Sequence, residues 1–315
     1  MEKKYIDGLM GFVIGDAMGV PLETKSREYL LNNPVTKMTG NGTHSVPEGT
    51  WSDDTSMLIS TIDSINAKCD IDYKDIADKL LLWKNHADYT PFKEVFGIGN
   101  VTKEALEYYD IHRDENINPC ECGIKDESAI TNEPLTRVIP IAYYAIEKKL
   151  KDFEILDIVK KMTTITHNNE TCIMGCYIFV RLLIFLLNEK DKFSAYSMTK
   201  CVDYSMFTEE TIDKYSRLIK EDIGKLNVDE IKSSSYIVDT LEAAIWVMLK
   251  SENYKEAIIG SINLGGDTDS IGAITGTLAG IIYGYDNLPE NWLSKIARGE
   301  YLLDIFEEFS ENKYK

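Results

Sequence analysis

Apolar residues recur at three- and four-residue spacing along most of the chain, the period that lines one face of an α-helix. Residues 75–84, 101–109, 140–149, 153–162, 236–249 and 254–263 all carry this pattern and are predicted helices. Two denser apolar runs, 173–187 and 271–284, read as core helices. Both fall short of the roughly 20 residues that a bilayer span requires, and Arg181 interrupts the first. Stretches alternating polar and β-branched residues are scarce, so the fold class is all-α.

Glycine refines that picture. Gly8, Gly11, Gly15 and Gly19 line one helix face, and Gly272, Gly276, Gly280 and Gly284 repeat every fourth residue near the other end. Glycine inside a helix costs up to about 1 kcal/mol relative to alanine, so a whole stripe is expected only where two backbones approach closely. The first and last parts of the chain are therefore expected to meet in one core, with residues 1–315 as a single compact domain. Loops are expected over residues 32–49 and 114–133, with a further break at 233–235.

Hydrophobic residues make up 44% and charged residues 27% of the 315, near globular averages, which argues against disorder, collagen and coiled coil. Acidic residues outnumber basic ones by 52 to 34, for a net charge of −18. Such a surface repels phosphate backbones and anionic lipid, so neither nucleic acid nor membrane is the expected partner. It also favours carboxylates gathered around cations. The opening residues Glu2, Lys3, Lys4 and Asp7 bring charge and no apolar leader pattern, so a cytosolic protein is expected. The six cysteines read as reduced thiols, and Cys120 and Cys122 form a lone C-x-C short of the four ligands of a zinc site.

Three acidic segments carry the candidate chemistry: Gly15-Asp16-Ala17-Met18-Gly19-Val20-Pro21-Leu22-Glu23, Thr50-Trp51-Ser52-Asp53-Asp54-Thr55 and Gly265-Gly266-Asp267-Thr268-Asp269-Ser270. Taken singly, Ser52, Asp53, Asp269 or Ser270 reads as a helix cap. Together, Asp53-Asp54 and Asp267-x-Asp269 place four carboxylates beside hydroxyls at the starts of two helices expected to be neighbours. Carboxylates converging on one site must protonate or bind a cation. Oxygen donors without His or Cys favour Mg²⁺, Mn²⁺ or Ca²⁺ over zinc.

These segments resemble the ADP-ribosylglycohydrolase family, the (ADP-ribosyl)hydrolases that include the dinitrogenase-reductase-activating glycohydrolases of bacteria. The first is similar to the family's N-terminal signature, Ser52-Asp53-Asp54-Thr55 to its [ST]-D-D-T motif, and residues 265–273 to its C-terminal metal motif. The matches run in order from residue 8 to about 284. The resemblance implies a compact orthogonal helical bundle with a binuclear Mg²⁺ or Mn²⁺ centre. Carried over position by position, Ser52, Asp53, Asp54, Asp267, Asp269 and Ser270 would be metal ligands. Glu23 would be the acidic residue at the entrance, and Asp16 a structural support. Asp54 or Asp269 would position water, with Glu23 as proton donor or gate.

Looser matches imply substrate contacts from Gly97 and Gly99 in a glycine-containing loop, from His167 of a Thr-His pair, and from Asn132 and Arg137. One stretch departs from the family pattern: Glu133 and Pro134 stand at glycine-like positions of the loop that approaches the ligand's phosphates and ribose. Glutamate brings negative charge there and proline removes an amide donor. The implied activity is metal-dependent release of ADP-ribose from a modified arginine or serine side chain of a protein, by a monomer. Two alternatives stand beside it: a hydrolase of a smaller ribosyl or O-acyl-ADP-ribose compound, and a non-catalytic ADP-ribose-binding protein.

Overall fold

A computed structural model describes residues 3–189 and 191–311. Sixteen α-helices lie among the described residues. The chain opens with α1 (Lys3–Gly19) and the short α2 (Arg27–Asn32), then crosses a long loop to α3 (Asp53–Lys68), α4 (Tyr73–His86) and α5 (Asn100–His112). A second irregular stretch leads to α6 (Pro134–Lys148), α7 (Asp152–Thr163), α8 (Glu170–Glu189) and α9 (Lys192–Lys200). The short α10 (Glu209–Lys214) and α11 (Ser216–Ile219) precede α12 (Ile237–Lys250), α13 (Tyr254–Ile262), α14 (Thr268–Tyr283), α15 (Glu290–Leu293) and α16 (Gly299–Glu311). Extended pairing among the described residues is confined to two isolated bridges, Asn41 with Val46 and Ile124 with His167. The all-α expectation holds.

All six periodic segments are helical, and one differs in its start. The helix expected from residue 140 begins at Pro134, whose missing N–H costs nothing in the first turn, and Pro140 lies inside it. The helix around the 173–187 run extends to 20 residues, from Glu170 to Glu189. It and Tyr5–Leu22 are long and apolar enough to cross a membrane, but 83% and 94% of those spans are buried within the protein. Both are core helices.

α1 and α14 make the closest contact in the fold, as the two glycine stripes anticipate. A methyl group added at Gly11 would run into the Gly276 carbonyl, one at Gly15 into that of Gly272, and one at Gly280 into that of Asp7. At Gly19 it would strike the first residues of α14, Thr268 and Asp269. Tyr254 Oη reaches into the same contact and donates to the Gly11 carbonyl at 2.7 Å, and Thr268 Oγ1 donates to that of Gly19 at 2.8 Å. Gly284 falls outside the stripe: nothing lies within 4 Å of where its side chain would be, and with φ at +84° it ends α14 instead.

Substitution inside and outside the stripe should therefore differ sharply. Gly276→Ala is expected to cost about 3 kcal/mol or more, because helix backbones cannot yield as side chains do. Gly299→Ala, at an open position, should stay within about 0.5 kcal/mol. Denaturant midpoints compare the two.

Candidate active site

The glycine contact sets α14 against α1 with its N-terminus beside the end of α1, where the next turn delivers Glu23. Backbone lacing fixes these loops together: Thr24 N donates to Gly266 O at 2.8 Å, and Gly266 N to Lys25 O at 2.8 Å. Gly265 and Gly266, both at φ +76°, let the chain turn there without a side chain. Asp267 then occupies the N-cap position of α14 without a side-chain capping bond, its own N–H bonded to Ser233 O at 2.9 Å.

The second acidic pair is set by Asp16, which is wholly buried on α1. Its carboxylate accepts from Ser52 N at 3.0 Å, Thr55 N at 3.2 Å and Thr55 Oγ1 at 2.5 Å, and so holds the first turn of α3. Burial raises the Asp16 carboxyl to about 6 against those bonds. This is the supporting role expected of it. Ser52 is the N-cap of α3, its Oγ accepting from Asp54 N at 3.2 Å. On the far side of the loop, Trp51 is anchored by a 2.8 Å bond from Nε1 to Ala297 O.

Between the two helix starts lies a cavity of about 300 Å³ whose walls include Glu23, Asp53, Asp54, Asp267, Asp269 and Ser270. Carboxylate oxygens of Glu23, Asp267 and Asp269 lie within 4.8 Å of one another. Burial and the neighbouring acids push Asp53, Asp54 and Asp269 well above the ordinary carboxylate value, and burial raises Asp267 too. Asp54 Oδ2 is buried without a hydrogen-bond partner. The donor set is all oxygen, which suits a hard divalent cation. Glu23 stands at the mouth, paired with His44, while Thr43 Oγ1 donates to its carbonyl at 2.5 Å.

The remaining sequence-predicted residues divide. Gly97 and Gly99 do line the cavity, and they also make room for acids: a side chain at Gly97 would strike the Asp53 carboxylate, and one at Gly99 the Glu133 carboxylate. Asn132 lines it as well, donating through Nδ2 to Asp267 Oδ2 at 2.6 Å and to Thr240 Oγ1 at 2.8 Å. Arg137 and His167 lie a layer deeper, both fully buried and outside the cavity lining. The Arg137 guanidinium donates to Met162 O at 3.3 Å, to Thr163 O at 3.2 Å and to Thr166 Oγ1. Ser52, 2% exposed, also lies outside the lining. Sequence reasoning passed over Ser128, Thr131 and Ser235 as lining residues, and His44 as the companion of Glu23. The weak signal for the first three was their place in the two loops already marked by composition.

The acids thus gather at the starts of two helices, α14 held by the glycine contact and α3 held by Asp16. The ADP-ribosylglycohydrolase family model matches residues 1–315, and the chain belongs to that family. It is a glycohydrolase enzyme, as its named relatives are. Among curated relatives, ADP-ribosylarginine hydrolase Tri1 of Serratia proteamaculans is 30% identical over 303 residues, covering 95% of this chain and 77% of that protein. The ADP-ribosyl-[dinitrogen reductase] glycohydrolase of Rhodospirillum rubrum is 27% identical, covering 94% and 91%. A solved structure titled ADP-ribosylglycohydrolase-related protein complex shares the fold, with a TM-score of 0.80 over 98% of this chain and 97% of its own, at 24% identity.

The raised carboxyls set a pH dependence with a definite sign. Their folded values lie above the ordinary 3.8, so the folded protein holds protons that the unfolded chain has released. Stability is fully present below that value and is lost as pH rises through the raised values. In chelator, the melting temperature is expected to be higher near about pH 5.5 than near about pH 8. Millimolar Mg²⁺ or Mn²⁺ should narrow the gap, and Asp54→Asn should flatten it. A pH-independent melt unaffected by that substitution would contradict the picture.

Proposed function

We propose that the protein hydrolyses ADP-ribosylarginine, breaking the bond between C1″ of the ADP-ribosyl group and a guanidinium nitrogen, with two divalent cations held by the acidic cluster. The observation that carries this reading is the convergence of four aspartates, three buried and Asp267 half-buried, from two helix N-termini on one cavity, with Asp54 Oδ2 left unpaired. Asp53, Asp54, Asp267, Asp269 and the Ser270 hydroxyl, with Glu23 at the mouth, are the oxygen donors for the cations; the Ser52 hydroxyl is the remaining donor that the family pattern assigns. When bound, the cations orient ribose hydroxyls and lower the pKa of water.

The chain's own groups supply the rest. Carboxylates around the cavity attract the cationic modified guanidinium, which a neutral serine linkage lacks. Hydrolysis adds a hydroxyl to C1″ and returns a proton to the leaving nitrogen, so arginine departs as guanidinium. We assign the orientation of the attacking water to Asp269 and Asp54, and the passage of the proton to Glu23, which His44 holds at the mouth. Two Tri1 relatives named as ADP-ribosylarginine hydrolases, each 30% identical to this chain, support arginine as the linkage.

Release of free ADP-ribose from ADP-ribosylarginine and ADP-ribosylserine peptides tests the reading. The arginine conjugate should turn over in Mg²⁺ or Mn²⁺ and stall in chelator, and the serine conjugate should be at least about tenfold slower. Asp269→Asn should lower kcat by about a hundredfold or more while the protein still melts cooperatively. A preference for serine removes the arginine assignment, and full activity in chelator removes the cation assignment.

A further inference from the structure

Glu133 lines the same cavity and is not among the residues that the family pattern assigns to the cations. It is 8% exposed, at the start of α6. A chain of hydrogen bonds fixes it from beneath. Arg137 donates to Thr166 Oγ1, leaving that hydroxyl to donate to His167 Nδ1 at 2.6 Å. With Nδ1 accepting, His167 carries its proton on Nε2 and directs it at Thr131 Oγ1, 2.7 Å away, with Glu133 Oε2 3.1 Å away. Thr131 Oγ1 donates to the same oxygen at 3.0 Å. Burial alone would raise the Glu133 carboxyl, but the bonds from His167 and Thr131 hold it below its ordinary value. It is a fixed anion.

Its other oxygen is different. Glu133 Oε1 is buried with no hydrogen-bond partner, and the absence of a side chain at Gly99 is what leaves it space. A buried anionic oxygen without a donor is costly, so this one is placed for a donor that arrives with the ligand. A phosphate oxygen cannot serve, because it would meet like charge. The Glu133 charge also bears on Asp53, which puts it beside the cluster where C1″ must lie.

We propose that Glu133 is a specificity-determining residue whose Oε1 accepts a hydrogen bond from a donor next to the scissile carbon, a ribose hydroxyl or a guanidinium N–H, and keeps phosphate from that end of the cavity. The inference rests on the ADP-ribosyl reading above and goes beyond it by naming the group that Glu133 reads. It gives His167 and Arg137 a positioning role through Glu133.

Glu133→Gln and Glu133→Gly, measured in full-length protein with Mg²⁺, test it through KM and kcat on the ADP-ribosylarginine peptide and through Kd for free ADP-ribose. The expected result is a KM raised about 10- to 100-fold with kcat within about threefold. Weakened ADP-ribose binding as well identifies the ribose hydroxyl as the donor. Unchanged ADP-ribose binding identifies the guanidinium. Mg²⁺-induced stabilisation retained in Glu133→Gln shows that the acidic cluster is intact, which a merely structural loss would not allow. Unaltered KM and Kd in both variants overturns the inference alone. Wild-type protein that neither cleaves the conjugate nor binds ADP-ribose overturns the functional reading and this inference with it.

Discussion

Everything at the site hangs on α1. Its glycine face lets α14 approach until backbone meets backbone, and that approach sets where Asp267, Asp269 and Ser270 begin. The same helix carries Asp16, whose buried carboxylate holds the first turn of α3 and with it Asp53 and Asp54. Its end runs into the turn that delivers Glu23. One helix thus indexes three acidic segments that are far apart in the chain. A shift of α1 along α14 would move all three, so the contact is built from backbone and glycine, which have no rotamers through which to adjust.

The acids gathered there oppose folding. Buried like charges raise one another's pKa, and the neutral helix framework offsets only part of that cost: the N-termini of α3 and α14 both point at the cluster, where their dipoles favour negative charge. Asp54 Oδ2 lacks even a donor. A fold that stabilised itself alone would place apolar or paired groups here. The tension is one that the cations proposed above would relieve. The neighbouring network shows the opposite arrangement: running from Arg137, Thr166 and His167 behind the wall to Thr131 and Glu133 in it, it is nearly saturated, with Glu133 Oε1 the one oxygen left without a partner.

The sequence pattern was legible where a residue's role is local or repeated. Helical periodicity located the helices, and the glycine stripes announced the α1–α14 contact, save that Gly284 proved to be a helix stop. Two of the acidic motifs stand at helix starts and the third at the end of α1, which is what allows them to face one cavity. Arg137 and His167, whose types suggest ligand contact, lie buried outside the cavity lining and bond to backbone and threonine oxygens. Nothing in their sequence neighbourhood separates a side chain that faces a cavity from one that lies behind it.

By itself, then, the sequence determined an all-α chain, a close pairing of its two ends, and a set of acidic motifs specific enough to mark the family. These follow from periodicity, from the steric cost of any side chain in the glycine stripe and from the short spacing within each motif. Which carboxylates share a wall of the cavity, which oxygen of Glu133 is left free, and which polar residues stand one layer back were decided only by the tertiary structure. Such facts depend on distances between segments up to some 250 residues apart, as in the 2.8 Å bond from Thr268 to Gly19, and no local pattern encodes a distance of that kind.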